Sequence, residues 1–170
     1  MRANHPQPYA KLFLDHRFNI FMAKEMRKKK GFEFLEHTAD AYVAAYGKDL
    51  AEAFENAALA MFDVMTEVEK VSPKVEDNVE VSGEDEFALL YDWLEALLVK
   101  SDVNGMLYSR FEVWRLSHVQ DELTLNARIW GEEFDPSKHL QKVGVKAVTY
   151  HRMEIIKHPG EVTLRFILDV

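Results

Sequence analysis

The chain has no cysteine among its 170 residues. That absence removes disulfides, thiolate metal sites and thiol nucleophiles together, and it favours a reducing compartment. No apolar run approaches the ~20 residues needed to span a bilayer. The first residues also lack the continuous apolar segment of a secretory signal. The expectation is a soluble, cytoplasmic protein with no membrane partner. Glycine is sparse, 7 in all and dispersed, and no Walker loop or G-x-G-x-x-G run is present to cradle a nucleotide. There is no G-x-S-x-G elbow. The 7 histidines include no H-x-x-x-H or H-E-x-x-H pair for zinc; His118, His139, His151 and His158 are scattered. The usual routes to acyl transfer, nucleotide hydrolysis and dinucleotide chemistry are therefore unsupported. Repeats and low-complexity tracts are absent too.

What is present describes a folded globule. The chain is 48% hydrophobic and 12% aromatic, and its length suits one domain with a proper core. Net charge is −8, unevenly spread: residues 1–31 carry 8 basic and 2 acidic groups, a net +6, and residues 32–170 carry 13 basic and 27 acidic groups, a net −14. An acidic body repels phosphate backbones and suits a basic protein surface or divalent cations, so RNA is expected as an indirect partner only. Residues 1–30 show no sustained periodicity, only a short apolar patch at Phe13-Leu14 and Phe18 to Met22 and a basic Lys28-Lys29-Lys30 run. They are expected to form an N-terminal extension, with Met22 or Met26 as alternative start sites, ahead of a domain over 31–170.

From Phe32 the patterns sharpen. Phe32 to Leu35 and Tyr42 to Tyr46 predict short strands. Asp49 predicts a helix start, with Glu52 three residues on as a capping-box pair. Leu50, Ala53, Phe54, Ala57, Ala58, Met61, Phe62 and Met65 then keep helical spacing without a break. Val79 to Val81 predicts a brief strand. A second helix is expected from Glu86 to Lys100, its stripe formed by Phe87, Leu90, Tyr91, Leu94, Leu97 and Leu98 and widened by Leu89 and Trp93, with Asn104-Gly105 as the stop. Phe111 to Leu116 and Leu123 to Trp130 predict paired strands, and Val145 to Lys157 and Glu161 to Val170 a last hairpin. The order ββαβαββββ predicts an α+β fold, two helices packed on a mainly antiparallel sheet.

Three segments carry the chemistry. Glu36-His37-Thr38-Ala39-Asp40 joins a histidine, a hydroxyl and a carboxylate. Lys146 and Asp169 each place a charge in a run that otherwise reads as buried strand, and buried charges need partners. Asp40, Lys146 and Asp169 are therefore expected to meet in space. Asp169 lies out of register with the core-facing Val162, Leu164, Phe166 and Leu168, beside the α-carboxylate expected at Val170. With Asp40 it would form a hard anionic pocket, and oxygen-only ligands favour Ca²⁺ or Mg²⁺. The plainer alternative has Asp169 paired with Arg165 or Lys146 and Asp40 capping a turn. His37 reads as ligand, general base or satisfied turn histidine, the last being the commonest role for a histidine beside Thr and Asp. Trp130-Gly131-Glu132-Glu133 sets an aromatic beside two acids at a strand end. That makes Glu132 a candidate contact residue, or part of a solvated strand terminus.

Taken in order, these segments resemble the archease family. The pieces are Phe34 to Asp40, Ala53-Phe54-Glu55, Ala60-Met61-Phe62, Trp130 to Phe134, Lys146 to Tyr150 and Ile167 to Val170, and they cover about residues 31 to 170. The family often has valine where this chain has Ala41. The resemblance implies an accessory protein that activates the GTP-dependent tRNA-splicing RNA ligase. Such a protein promotes guanylylation and multiple turnover and broadens nucleotide use. It also implies that Asp40, Asp169 and Val170 hold a divalent cation, Ca²⁺ first and Mg²⁺ second, and that Lys146 is critical; His37 and Glu132 are expected, from the residues themselves, as further contact residues. Weak self-association is compatible with it. Two other classes stay open: a small metal-dependent phosphoester hydrolase with His37 as base, and a chaperone of an RNA-modifying enzyme.

Overall fold

A computed structural model describes residues 31–170; the apolar patch at Phe13 to Met22 and the basic run at Lys28-Lys29-Lys30 lie outside them. Residues 31–170 group into one compact unit. In chain order it contains β1 (Phe32–Leu35), β2 (Ala41–Gly47), α1 (Leu50–Met65), a 3-10 turn (Val68–Lys70), β3 (Val75–Gly83), α2 (Glu86–Asn104), β4 (Met106–Val119), β5 (Glu122–Glu133), β6 (Ala147–His158) and β7 (Glu161–Asp169). The expected ββαβαββββ order is borne out. The strands divide between two sheets, however, in the orders β1-β2-β7-β6 and β3-β5-β4, and every pairing is antiparallel. Alternation along a strand tells which of its faces is buried but not which strand lies beside it.

Local chemistry fixes both helices. The Asp49 carboxylate accepts the Glu52 backbone N–H at 2.9 Å, while the Glu52 carboxylate accepts from the Lys48 N–H at 2.6 Å. The capping box thus forms with its returning arm one residue further upstream than the usual pairing. The predicted face of α1 is buried from Ala53 to Phe62, with Ala60 added. Asp85 caps α2 in the same way, accepting from Ala88 N–H at 2.8 Å. The helix runs four residues past Lys100 and stops at Gly105, whose φ of +62° is a left-handed conformation that favours glycine. Its buried face is Leu89, Leu90, Trp93, Leu94, Leu97, Leu98 and Ser101; Phe87, expected in the stripe, is in the first turn and exposed.

Helix α1 packs on β2 and β4, and α2 on β3 and β6, so the helix pair touches both sheets. The Trp93 indole N–H donates to the Phe54 carbonyl at 3.0 Å and links the helices inside the core. Burial of each large apolar side chain there, such as Phe54, Phe62 or Leu94, contributes about 1.5–3 kcal/mol. The long strands β4 and β5 turn at Gln120 and Asp121, both with positive φ. Strand β4 carries two register shifts, near Ser109 and Trp114. Among the described residues, no helix is long and apolar enough to cross a membrane.

Candidate functional site

The first site is built by the register of the four-stranded sheet. Ala41 pairs with Leu168 across β2 and β7, so continuing the ladder by one residue sets Asp40 opposite Asp169. Asp169 in turn pairs with Ala147 of β6, and the Lys146 N–H donates to the Asp169 carbonyl at 2.8 Å. The three charged residues expected to meet therefore gather at one end of one sheet. Val43, Ala45, Leu164, Phe166 and Leu168 fill the inner face and are almost fully buried. By strand alternation Asp169 takes the opposite, outer face, and Asp40 lies in the bend just before β2.

The side chains there are arranged differently from the plainer expectation. Arg165 pairs with Glu154 at 3.1 Å, not with Asp169. The Lys146 ammonium donates to the Val170 backbone oxygen at 2.9 Å, and Lys146 lies just before β6 and is exposed. Among the described residues, the exposed carboxylate of Asp169 has no ion pair. Asp40, with 31% of its side chain exposed, has His37 Nδ1 at 3.7 Å as its one ion-pair contact among the described residues. The turn is capped by the histidine: His37 Nδ1 accepts the Asp40 backbone N–H at 3.2 Å. A neutral imidazole accepting at Nδ1 carries its proton on Nε2, so Nε2 is a donor and not a base. Asp40 and Asp169 thus stand at the ends of neighbouring strands, and among the described residues neither carboxylate is paired with a lysine or arginine.

Their chemistry fits a hard cation. Both are oxygen donors, Asp169 exposed and Asp40 partly so, and a backbone oxygen stands at Val170 beside the Lys146 ammonium. Among the described residues, no group of three or more His, Cys, Asp or Glu side chains is placed to hold a metal ion.

A second charged cluster surrounds Glu132. Gly131 precedes it because β4 passes very close: a Cβ there would sit 1.9 Å from the Leu107 carbonyl oxygen. The Glu132 side chain is only 8% exposed. It accepts from Ser72 N–H at 2.7 Å, from Lys74 at 2.7 Å and from Lys138, and it meets the buried His139 Nε2 at 3.0 Å. His139 Nδ1 accepts the Asp135 N–H at 2.9 Å, which fixes the ring with its proton toward Glu132. Burial pushes the Glu132 carboxyl up, but the bonds from Lys138, Lys74, Ser72 and His139 outweigh it and hold the group well below the usual carboxylate range. Glu132 is placed where its carboxylate ties β5 to the loop over 134–146 and to the segment before β3. His139, scattered by sequence spacing, is the residue that reasoning missed; the available signal was Lys138-His139 six and seven residues after an acid at a strand end.

Known proteins resemble the chain over this whole unit. The model of the Archease protein family (MTH1598/TM1083) matches residues 32–170. The protein archease of Sulfurisphaera tokodaii is 48% identical over 139 residues, 82% of this chain and 98% of that one. The protein archease of Methanothermobacter thermautotrophicus is 48% identical over 141 residues, 83% and 99%. The solution structure of Methanobacterium thermoautotrophicum protein 1598 superposes with a TM-score of 0.74 at 48% identity, covering 83% of this chain and 99% of that one. A crystal structure of a Thermotoga maritima archease, described as a possible chaperone, has a TM-score of 0.51 at 17% identity over 81% and 96%, a likeness of fold.

Proposed function

This chain belongs to the archease family, and from that premise we propose that it is an accessory protein, not an enzyme, that activates the GTP-dependent tRNA-splicing RNA ligase in the cytoplasm. It promotes guanylylation of the ligase, permits repeated turnovers and widens the nucleotides the ligase accepts. The observation that carries this reading is the Asp40–Asp169 pair. Two acidic residues at neighbouring strand ends, without a lysine or arginine partner among the described residues, offer oxygen donors to a cation. Asp40 and Asp169, with the Val170 oxygen, would hold Ca²⁺ or Mg²⁺. The cation would supply a positive charge that balances their negative ones. The chain's own residues do the rest: Lys146 fixes the end of β7 through Val170, and the acidic body favours approach of a basic ligase surface.

His37 does not support the hydrolase alternative, because its Nδ1 is taken by the Asp40 N–H and its Nε2 holds the proton. The test adds the protein to purified ligase, GTP and a cleaved tRNA with 2′,3′-cyclic phosphate and 5′-hydroxyl ends. The expected result is a rise from about one turnover to many. Unchanged ligation together with suppressed aggregation of an RNA-modifying enzyme would replace this reading with the chaperone one, and phosphoester turnover by the protein alone would replace it with the hydrolase.

A further inference from the structure

Strand β6 is interrupted beside the Asp40–Asp169 corner. Between the pairs Thr149–Ile167 and Glu154–Arg165, β6 advances five residues while β7 advances two, so three extra residues bulge from the ladder. The bulge is anchored on its helix side. Tyr150 stacks on Tyr91 of α2, rings 4.5 Å apart and 5° from parallel, Met153 is buried, and the His151 N–H donates to the Thr149 hydroxyl at 3.1 Å. Arg152 occupies the bulge with φ of +55°, a left-handed conformation unusual for a non-glycine residue. Its guanidinium carbon lies 5.4 Å from the centre of the Tyr42 ring, whose edge-on neighbour at 6.2 Å is His37. Tyr42 pairs with Ile167 and stands two residues beyond Asp40, which lies in the bend just before β2.

The bulge therefore carries a cation from the outer strand across β7 to the neighbourhood of the two aspartates. Arg152 is exposed, and among the described residues it has no hydrogen bond or ion pair. A guanidinium held over a ring by cation–π attraction keeps its donor fork free for bidentate recognition of a carboxylate. Strained backbone at a polar corner is a recurrent mark of a binding site.

We infer that Arg152 is a partner-contact residue of this corner, and that its guanidinium takes the carboxylate of an Asp or Glu side chain on the partner protein. The inference rests on the proposed function for the partner's identity. A carboxylate is favoured over an RNA phosphate because the surrounding body carries a net −14 over residues 32–170, which opposes a polyanion but not a single acidic side chain. Arg152 then fixes the orientation in which the basic partner meets Asp40 and Asp169.

The experiment measures equilibrium binding to the purified ligase without nucleotide or RNA, for the parent and for Arg152→Glu, Arg152→Lys and Arg152→Gly, with thermal unfolding of each. Arg152→Glu should weaken binding at least tenfold, and Arg152→Lys should recover only part of that loss. Arg152→Gly should weaken binding while its melting temperature stays level or rises, because glycine adopts the positive φ without strain. Binding of Arg152→Glu within twofold of the parent overturns this inference alone. A loss seen only when nucleotide or RNA is added assigns Arg152 to a phosphate and overturns the carboxylate. A drop in melting temperature for Arg152→Gly with unchanged binding makes the residue structural. No binding by the parent overturns this inference and the proposed function together.

Discussion

The two acidic sites of this molecule are opposites. At Glu132 one carboxylate is buried and surrounded by Lys74, Lys138, His139 and the Ser72 N–H. At the end of the four-stranded sheet stand two carboxylates, the partly exposed Asp40 and the exposed Asp169, with no lysine or arginine paired to either among the described residues. The first arrangement is complete within the chain and serves the fold, because it ties β5 to two loop segments. The second has no lysine or arginine partner among the described residues. Charge satisfied inside marks structure, and charge left unsatisfied outside marks a site for something else. Removing a charge should therefore damage stability at one place and function at the other.

The largest effect is expected at the open site. Asp40→Ala or Asp169→Ala should reduce ligation to the rate of the ligase alone in a multiple-turnover assay. The melting temperature should stay within about 3 °C, since exposed substitutions rarely exceed ~0.5 kcal/mol. At the buried site the order reverses. Glu132→Gln leaves the interior His139 and two lysines without their carboxylate, at a cost of about 2–4 kcal/mol and roughly 5–15 °C by calorimetry. Its ligase activation at 25 °C should stay near that of the parent.

Acid sharpens the contrast. The Glu132 carboxyl titrates lower in the folded protein than in the unfolded chain. Its stabilisation is therefore complete above the ordinary carboxylate pKa, about 4.3, and fades as pH falls below it toward the depressed folded value. Chemical denaturation between pH 6 and 3 should show the parent losing stability more steeply than Glu132→Gln; parallel curves would remove Glu132 from the account. The smallest effect belongs to the exposed Glu154–Arg165 pair, on the same face as Asp169. Glu154→Ala should cost less than about 1 kcal/mol in denaturant unfolding and leave activation intact, which separates paired from unpaired charge on one surface.

Much of this was legible in the sequence for identifiable reasons. Helix α1 could be read from Asp49 to Met65 because cap and stripe agree. The meeting of Asp40, Lys146 and Asp169 could be expected from charges at the ends of apolar runs, and β2, β7 and β6 do bring them to one sheet end. The division into two sheets was not legible, since Val79 or Leu125 shows that a face is buried without naming the neighbouring strand. The Glu132–His139 cluster was hidden because His139 is buried by the course of a loop, which no periodicity records. Arg152 was hidden as well: its place depends on a three-residue bulge and a positive φ, and the His151-Arg152-Met153 stretch resembles ordinary strand.

One side-by-side assay bears most directly on the contrast: multiple-turnover ligation with Asp169→Asn and Glu132→Gln, at a temperature where circular dichroism shows both folded. Asp169→Asn, fully folded, should fail to activate the ligase, while Glu132→Gln, less stable, should activate it nearly as well as the parent. Activation by Asp169→Asn equal to that of the parent would contradict that contrast.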